Sequence, residues 1–563
     1  MISGIKYSGK VTNTSEYDQR NSSPNKINNK VIGQKSMTEN ETLTIKEAGE
    51  WVSNYFKIKV NSSNISYLVQ YGQIRKVNGE DEVKVYKQDL IDYYSNHSNR
   101  EVEWKNVLGE DLDWHLSFEN VKESERTKHV HRLHPYKGKF IPQLVEYFLD
   151  DHTDEYKKDV YFCKGDIVLD PFCGSGTTLV QANELGLHAI GIDISEFNSL
   201  ISNIKINKHN LIDLYNEIRR ITIAVKTFTS DKPWAKFEDE LLVELNKFNV
   251  ANFPSPDYVY KVRRNEIDYQ KYSLEKENRF LPIFNNLVEK YQLKLIQDNN
   301  ENSFLSKWYF YSVRMEIEFV KQLIDQVTNK DTSEILRIIL SRTIRSSRAT
   351  THADLATLIE PVTSTYYCHK HYKICKPLFS IVHWWDFYSR DTFKRLGEFD
   401  RIRTDTQQIC LTGDSRVLDI FNSLEETKLS LATISKKNKI RGIFSSPPYV
   451  GLIDYHEQHA YAYELFGLQR RDDLEIGRLF KGKGLDARLA YIKGISAVLI
   501  NCKKYMVEDY DVLLVANDSF NLYPQIAENS GMKIVKKFRR PVLYRTEKDK
   551  SAYAEKIFCL KEK

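Results

Sequence analysis

Two short peptides, far apart in the sequence, carry residue types that could do chemistry together. In the first, DIVLDPFCGSGTTLV at 166–180, an apolar strand pattern is followed by the turn Gly174-Ser175-Gly176 and by a helix that begins at Thr177. The next apolar segment ends in Asp193. A strand, a glycine turn, a helix and a strand with a terminal acid form the first half of a Rossmann-like sheet, in which the acid accepts hydrogen bonds from ribose hydroxyls. The peptide therefore predicts a nucleoside cofactor, with a non-catalytic Rossmann fold as the alternative.

The second peptide, RGIFSSPPYVGLIDY at 441–455, places a rigid polar tetrapeptide after another strand pattern. Residues 442–445 predict a buried strand, and Ser446-Pro447-Pro448-Tyr449 follow at its carboxyl end, where ligands sit in open α/β sheets. A surface polyproline ligand is the alternative, and it is disfavoured because the tetrapeptide directly follows a buried strand. We expect the two peptides to meet at one edge of a single sheet.

Together the two peptides resemble the paired motifs of amino-methyltransferases, which use S-adenosylmethionine to methylate adenine N6, cytosine N4 or certain tRNA guanines. The resemblance implies an α/β fold with a Rossmann-like, seven-stranded methyltransferase sheet. In this family, the segment at 129–150 would close over the methionine end of the cofactor, and CLTGDSRVLDIF at 410–421 would bring an acid near its adenine ring. A plain strand, turn and helix is an equal alternative for 410–421. The predicted cofactor contacts are Lys139, Phe140, Asp170, Phe172, Gly174, Gly176, Thr177, Asp193 and Asp414.

The resemblance also assigns catalytic roles to Ser446, Pro447, Pro448 and Tyr449. An exocyclic amine conjugated to its ring is a poor nucleophile, because its lone pair is delocalised. The Ser446 hydroxyl and the Pro447 carbonyl could accept its two hydrogens, which favours a pyramidal nitrogen with its lone pair directed at the donor methyl. The prolines hold that carbonyl rigidly. Tyr449 could stack on a base swung out of the duplex, offsetting part of an unstacking cost of a few kcal/mol.

The first residue of the tetrapeptide bears on the identity of the target base. Within the family, serine is usual in cytosine N4 enzymes and Asp or Asn in adenine N6 enzymes, so Ser446 favours cytosine N4. Adenine N6 stays an alternative, because either side chain only needs to accept one amine hydrogen. Transfer to cytosine C5 needs the thiolate of a Pro-Cys pair, and no such dipeptide occurs. Two further alternatives are a tRNA guanine N2 methyltransferase and a DNA-binding regulator with an inactive methylase fold.

Residues 41–98 resemble the small winged helix-turn-helix domains of the excisionase and MerR type. Two helical patterns, the second after an Asn61 cap, precede QIRKVNGEDEVKVY, which predicts two strands around an Asn78-Gly79 turn. A closing helix follows. The resemblance implies DNA binding by the second helix and by basic residues near the wing, and a protein-interaction module is the alternative. The predicted DNA contacts are Asn64, Ser66, Tyr67, Gln70, Arg75 and Lys76.

The roughly 200 residues between Asp193 and Asp414 are too many for a loop and must hold a domain. In amino-methyltransferases with the cofactor motif first, this position holds the target-recognition domain. Arg, Lys, Tyr and His are interleaved here as a surface that contacts phosphates and reads bases requires. Arg342, Arg345 and Arg348 are expected on one helix face, with an ordinary solvated face as an equal alternative. Double-stranded DNA with a flipped base is the predicted partner.

The peptide YYCHKHYKICK at 366–376 contains metal-ligand types at close spacing, namely Cys368, His369, His371 and Cys375. No second pair with zinc-finger spacing occurs nearby. We therefore expect a structural use without metal, and predict no metal site in the chain. His456 and His459 are likewise expected to shape the pocket rather than to bind metal.

Length and composition set the predicted organisation. At 563 residues the chain exceeds one core, and its 41% apolar and 12% aromatic residues exclude disorder of the whole chain. A net charge of +5 permits a polyanionic partner without requiring one. The predicted units are a flexible tail (1–40), the winged helix-turn-helix (41–98), the cofactor half (99–205), the inserted target-recognition domain (206–405) and the catalytic half (406–563).

Seven scattered cysteines, with no apolar run of signal-peptide or membrane-span length, predict a reduced, cytoplasmic setting. The family resemblance further implies that the protein is bacterial and associated with the nucleoid through DNA. It also implies that the protein protects DNA from a cognate restriction endonuclease that is encoded separately.

Overall fold

The computed structural model describes residues 41–77, 82–98, 100–119, 121–295, 303–352, 360–543 and 552–563. The tail predicted at 1–40 and the predicted Asn78-Gly79 turn lie outside the described residues. Within those residues, the chain forms a mixed α/β structure in which seven strands make one sheet. The expectation of a seven-stranded sheet is confirmed.

The N-terminal unit begins with two helices that start at capping boxes, where a side chain and a backbone N–H satisfy each other reciprocally. Thr44 and Glu47 form the first capping box, and Asn61 and Asn64 form the second. A bridge joins Lys76 to Val85, beside the turn predicted in this region. The assignment of the N-terminal unit as a winged helix-turn-helix stays a prediction. Its elements are β1 (Thr42–Thr44), α1 (Ile45–Phe56), α2 (Ser62–Gln70), β2 (Lys84–Tyr86), α3 (Lys87–Ser98) and the following α4 (Arg100–Leu108).

The next part of the chain supplies the strand, glycine turn, helix and strand that the first peptide predicts. Short 3₁₀ turns at Trp114–Ser117 and His129–Arg132 come before and after α5. The elements are α5 (Glu123–Arg126), α6 (Pro142–Leu149), β3 (Ile167–Asp170), α7 (Thr177–Glu184), β4 (His188–Asp193) and α8 (Glu196–Ile206).

A largely helical unit fills the long interval between the two motifs. Its helices are α9 (Leu211–Ser230), α10 (Pro233–Asn252), α11 (Asp257–Arg263), α12 (Tyr269–Lys290), α13 (Phe304–Trp308), α14 (Tyr311–Asp325), α15 (Lys330–Ser346) and α16 (Val382–Asp400), and a small hairpin of β5 (Tyr366–Cys368) and β6 (Lys373–Cys375) precedes α16.

The remaining strands and helices complete the sheet. The last two strands pair antiparallel. The elements are β7 (Gln408–Thr412), α17 (Ile420–Thr427), α18 (Leu429–Asn438), β8 (Ile440–Ser445), α19 (Tyr455–Gln458), α20 (Ala460–Phe466), α21 (Leu485–Lys503), β9 (Met506–Ala516), α22 (Tyr523–Asn529), β10 (Met532–Pro541) and β11 (Ala554–Glu562), with 3₁₀ turns at Asp472–Leu474 and Leu479–Lys481.

The sheet order is β10-β11-β9-β8-β3-β4-β7, and only the pairs made by β11 are antiparallel. Both faces are covered, because alternate residues of the central strands enter two separate apolar clusters: Val168 of β3 lies in one and Leu169 in the other. Such two-sided burial explains the continuous apolar runs of these strands. At Gly442 of β8, a Cβ atom would lie 2.2 Å from the Asp511 carbonyl oxygen, so the close approach of β9 requires glycine.

Among the described residues, no helix combines the length and the apolar composition needed to cross a membrane.

One buried carboxylate joins four parts of the helical unit. Glu316 of α14 is fully buried and accepts hydrogen bonds from Thr229 at 2.9 Å, Trp234 at 2.8 Å, Ser380 at 2.9 Å and the Ile381 N–H at 2.7 Å. Burial raises the pKa of Glu316, against the effect of these donors. The carboxylate therefore fixes α9, α10 and the start of α16 against α14.

We expect Glu316→Ala to lower the free energy of unfolding by about 3 kcal/mol or more, because four donors lose a charged acceptor in the interior. Glu318→Ala is the matched control, since Glu318 is exposed on the same helix, and it should change stability by less than about 0.5 kcal/mol. Chemical denaturation of both variants measures the difference. Equal stabilities would contradict the role given to Glu316.

Candidate active site

The two predicted peptides meet at one cavity, at the carboxyl ends of β3, β4, β7 and β8. Parallel strands present their carboxyl ends at the same sheet edge, which is where open α/β sheets bind ligands. The predicted site residues that line it are Lys139, Phe140, Phe172, Gly174, Thr177, Asp193, Asp414, Ser446 and Pro448.

Asp193 ends β4 at the cavity wall and is buried. One of its carboxylate oxygens accepts the Gly174 N–H at 2.8 Å, and the other accepts the Ser195 N–H at 2.8 Å and the Asn198 amide at 3.1 Å. Burial raises the pKa of Asp193 to about 6, even though these donors favour the charged form. The acid thus binds the glycine turn as well as facing the cavity.

The cavity wall suits a polar nucleoside ligand. The Ser175 hydroxyl and the Asn198 amide oxygen line it and are buried, yet neither has a hydrogen-bond partner among the described residues. Buried polar atoms normally have partners, so these two atoms indicate a ligand that supplies them. At Gly174, with φ +54°, a Cβ atom would lie 2.8 Å from the Tyr136 hydroxyl, so only glycine fits the turn. The residues present therefore fit S-adenosylmethionine, a nucleoside with a polar amino-acid end.

Asp170 and Gly176 do not line this cavity. Asp170 is buried behind it, where it accepts the Ser445 hydroxyl at 2.5 Å and the Phe172 N–H at 3.2 Å. Burial raises the pKa of Asp170 to about 6. In this position the carboxylate holds the wall of the site, and a direct contact of Asp170 with a cofactor stays a prediction.

Asp414 lies across the cavity, just beyond the end of β7. Burial disfavours its charge, but hydrogen bonds from Arg416 outweigh burial and lower the pKa of Asp414. The Arg416 guanidinium bonds both carboxylate oxygens, at 2.7 and 2.8 Å. Asp414 is therefore an ionised acceptor that already has a protein partner.

Lys139 and Phe140 line the cavity on the side of the 3₁₀ turn at His129–Arg132. The Lys139 ammonium group donates to the His131 carbonyl oxygen at 2.8 Å. Burial lowers the pKa of Lys139 to about 8, and nearby Arg132 and Arg395 act in the same direction. Lys139 is thus a cation that titrates close to neutral pH.

The serine-headed tetrapeptide is divided by the fold. Ser446 and Pro448 line the cavity, whereas Pro447 and Tyr449 do not. The Tyr449 hydroxyl donates to Glu555 at 3.0 Å, and Arg540 pairs with the same carboxylate at 2.9 Å. Burial, with Glu555 close by, raises the pKa of Tyr449 well above its usual value. Stacking of Tyr449 on a base stays a prediction.

Sequence reasoning did not single out three residues of this wall. Tyr136 and Tyr455 stack with ring centroids 5.9 Å apart, and both line the cavity. Glu475 lines it too and accepts the His456 N–H at 2.8 Å, as well as bonding the His456 ring. The aromatic pair is formed by segments more than 300 residues apart, so no local pattern could have indicated it.

A larger cleft adjoins the cavity, and Tyr136 and Lys139 line both. Among the described residues, seven basic side chains line the cleft against three acidic ones. Trp384 and Tyr388 form a stacked pair in its wall, with centroids 5.3 Å apart. His459 also lines it, and burial, aided by Arg345 and Arg348, lowers its pKa to about 3. The basic residues are Arg132, Lys137, Lys139, Arg342, Arg345, Arg348 and Arg395.

The three arginines of α15 and the turn after it share this cleft, but they are not equivalent. Arg342 is buried in an ion pair with Asp391 at 2.5 Å and also bonds Thr392, so the expectation of a free phosphate contact is wrong for this residue. Arg348 is buried beside the Tyr461 ring, 5.1 Å from its centroid. Arg345 is half-buried, and in the described part of the chain no carboxylate pairs with it. Similarly, Arg75 in the N-terminal unit is paired with Asp89 at 2.7 Å.

The parallel core of the sheet, with the glycine turn and the serine-headed tetrapeptide at one cavity, has the architecture of a Rossmann-like methyltransferase. Residues 14–204 match the family described as DNA methylase (N6/N4 methyltransferases). The chain is also 44% identical over 522 residues to "Type II methyltransferase M.MjaII" of Methanocaldococcus jannaschii. The aligned residues cover 92% of this chain and 96% of that relative. The protein therefore belongs to the type II DNA methyltransferases, a family whose general cofactor is S-adenosylmethionine.

Two further similarities are shorter. "Type II methyltransferase M.MvaI" of Kocuria varians is 27% identical over 172 residues, or 31% of each chain. A "tRNA (guanine(10)-N2)-dimethyltransferase" of Methanocaldococcus jannaschii is 34% identical over 107 residues, which cover 19% of this chain and 27% of that relative. Only part of the chain therefore resembles the tRNA enzyme, whereas the match to M.MjaII spans nearly all of it.

We expect the affinity for S-adenosylmethionine to fall as the pH rises through about 8, if Lys139 pairs with the carboxylate of its methionine end. The pKa of Lys139, lowered to about 8, leaves the ammonium charged below that pH and neutral above it. Loss of the charge should weaken binding by up to about tenfold per pH unit. Titration calorimetry at pH values from about 6.5 to about 9.5, which lie on both sides of that pKa, measures the affinity as a function of pH.

Lys139→Arg is the control, because a guanidinium stays protonated throughout this range. The ligand's own amino group titrates identically with both proteins, so the difference between the two profiles isolates Lys139. Parallel profiles would show that Lys139 does not carry the interaction.

Proposed function

We propose that this protein transfers a methyl group from S-adenosylmethionine to the exocyclic N4 amine of a cytosine swung out of double-stranded DNA. The observation that carries the proposal is the shared cavity. It is lined by Ser446 and Pro448 of the second peptide and by Gly174 and Asp193 of the cofactor half. When bound, the cofactor supplies an electrophilic methyl group. The residues of this chain hold the two reactants and direct the amine.

The proposed roles divide between the two peptides. Asp193 accepts hydrogen bonds from ribose hydroxyls, since its oxygens retain lone pairs beyond those used by the glycine turn. The Ser446 hydroxyl lies in the cavity wall, accepts one amine hydrogen and orients the lone pair. Pro447 does not line the cavity, so its carbonyl, the acceptor that the family pattern assigns to the second hydrogen, is proposed to reach the amine only when the base enters. The diproline fixes the backbone between these two acceptors. The stacked Tyr136 and Tyr455 rings provide an aromatic surface in the cavity for the extruded base, a task that the sequence pattern assigned to Tyr449.

Cytosine N4 is favoured over adenine N6 because the tetrapeptide begins with Ser446. A serine hydroxyl has the same accepting task as the Asp or Asn of adenine N6 enzymes, so the preference comes from the family pattern. We further propose that the protein protects DNA alongside a restriction endonuclease, a role taken from its type II relatives.

The basic cleft is the proposed DNA-binding surface. Arginines that line a groove attract the phosphate backbone, and the Trp384 indole N–H is buried there without an acceptor among the described residues. The cleft opens beside Tyr136 and Lys139, which also line the cavity, so a base leaving the duplex has a short path to Ser446. We propose that the helical unit at 206–405 supplies target recognition from this side.

The N-terminal unit is proposed as a second DNA contact. Asn64, Ser66, Tyr67 and Gln70 are all exposed on α2, as a recognition helix requires. Arg75 contributes less than the sequence suggests, because Asp89 neutralises it. Lys76 stays a candidate for a phosphate contact near the predicted wing.

The direct test incubates the purified protein and methyl-labelled S-adenosylmethionine with unmethylated DNA and, separately, with tRNA. We expect label in DNA and, after digestion to nucleosides, N4-methylcytosine by mass spectrometry. Ser446→Ala should lower the turnover number by about 100-fold while leaving cofactor affinity close to wild type, because its contact forms at the reacting amine.

N6-methyladenine in place of N4-methylcytosine would overturn the base assignment alone. Label in tRNA only, or in neither nucleic acid, would overturn the proposed DNA methylation. Equal losses of turnover and of cofactor affinity in Ser446→Ala would contradict the role of this hydroxyl.

Arg345→Gln should weaken DNA binding by about tenfold and reduce the slope of log affinity against log salt by about one, because one phosphate contact is lost. Arg337→Gln is the matched control: Arg337 lies on the same helix, pairs with Asp325 at 3.4 Å and does not line the cleft. Fluorescence anisotropy at several salt concentrations measures both. Equal effects of the two substitutions would contradict a specific role of Arg345.

A further inference from the structure

Four metal-ligand side chains converge beside the small β5–β6 hairpin, in the helical unit. Cys368 ends β5, His371 lies in the turn and Cys375 ends β6. The fourth, His352, comes from the segment that follows α15. One potential ligand atom of each residue lies within 4.8 Å of those of the other three.

The spacing of these atoms matches a tetrahedral site. The Cys368 sulfur is 3.6 Å from Nδ1 of His371 and 3.7 Å from Nδ1 of His352, and the Cys375 sulfur is 3.5 Å from Nδ1 of His371. Zinc bonds of about 2.3 Å to sulfur and 2.0 Å to nitrogen, at tetrahedral angles, separate such ligands by about 3.5 Å. An ion would therefore need little movement of these side chains.

The surroundings also favour a bound ion. Both cysteines are buried and both histidines are exposed, so an ion can enter from solvent and then be enclosed on its sulfur side. The Tyr366 hydroxyl lies 2.8 Å from Nδ1 of His352, so an ion bound through that nitrogen would replace this hydrogen bond.

One face of the hairpin has few apolar contacts. Each strand has three residues, and on this face Tyr366, Cys368 and Cys375 form a small cluster with Val362 packed against it, whereas Tyr367 and Ile374 on the other face belong to the main core. A bound ion would therefore stabilise the face that the main core does not cover. Asn249 and Glu277 bond its backbone, at the Ile374 and Tyr367 N–H groups, and dock the hairpin on α10 and α12. His352 belongs to neither the hairpin nor these two helices, because it comes from the segment that follows α15.

We propose that His352, Cys368, His371 and Cys375 bind one structural Zn²⁺ ion. Two thiolates and two imidazoles are a ligand set that suits zinc, and four protein ligands leave no open position for a catalytic water. The ion ties the segment that follows α15 to the hairpin on α10 and α12. It thereby fixes the carboxyl end of the helix that carries Arg345 into the cleft.

The sequence predicted no metal site because no second pair of ligands with zinc-finger spacing lies near Cys368. In the structure, a single histidine from 16 residues before Cys368 lies beside the hairpin instead. His369, which the sequence places among the ligand types, is outside the cluster: its ring contacts Tyr269 and Tyr367.

The test measures metal in the full-length protein, purified without chelators or a histidine tag. We expect about one zinc ion per chain by plasma mass spectrometry. Exchange for Co²⁺ should give the intense visible bands of a tetrahedral ion with sulfur-to-cobalt charge transfer. Removal of zinc from the wild-type protein by a strong chelator should lower its melting temperature, and added Zn²⁺ should restore it.

His371→Asn and His369→Asn are the matched pair, because they lie two residues apart in the same hairpin. His371→Asn should lose at least about nine-tenths of the zinc, whereas His369→Asn should keep all of it. Cys163→Ser, at an exposed thiol away from the hairpin, should also keep it.

Three results would overturn the proposal, and none depends on a variant that folds poorly. They are wild-type protein that binds neither Zn²⁺ nor Co²⁺ after reduction and reconstitution, zinc retained in full by His371→Asn, and a metal-free protein with a Cys368–Cys375 disulfide by mass. The metal measurements need no methyl transfer, so failure of the proposed function would leave this proposal separately testable.

Discussion

The parallel pairing of β3 with β8 is the constraint on which the candidate site depends. Val168 lies opposite Gly442 and Leu169 opposite Ile443, so both strands end at the same edge. Just past this pairing, the Ser445 hydroxyl bonds Asp170 at 2.5 Å. That hydrogen bond joins the residue before Ser446 to the strand end that leads into the glycine turn. Burial raises the pKa of Asp170 to about 6, which makes the hydroxyl and backbone donors around it necessary to keep a carboxylate there.

Local patterns predicted the parts of this arrangement well. Continuous apolar runs gave β3, β4 and β8, because strands covered on both faces exclude polar residues. The turn could be predicted from its glycines because the positive φ of Gly174, close to Tyr136, requires glycine there. The Asn61 cap correctly marked the start of a helix. The shared sheet edge was expected because each peptide follows a strand at its carboxyl end, where open α/β sheets bind ligands, and because together the two resemble the paired motifs of a known family.

Contacts between distant segments could not be predicted in this way. Arg342 has the spacing of an exposed helix face, yet Asp391 of α16 takes it as a partner. Tyr449 has the position of a stacking residue, yet Glu555 of β11 holds its hydroxyl. In each case the deciding partner lies on another element, and the sequence pattern of one element contains no information about it. His352 and the hairpin cysteines are a third example, because the ligands of the proposed metal site come from two separate segments of the sequence.

The proposed function requires two ligands of opposite charge, and the fold offers a separate space for each. S-adenosylmethionine carries a sulfonium cation, and the cavity presents Asp193, Asp414 and Glu475. DNA is a polyanion, and the adjoining cleft presents an excess of arginine and lysine. A net charge of +5 spread over the whole chain conceals this division. Lys139 stands where the two spaces meet, and burial between arginines lowers its pKa to about 8. Under the proposed function, a cation at this boundary can pair with the carboxylate of S-adenosylmethionine or with a DNA phosphate, so the single charge of Lys139 faces anionic groups of both ligands.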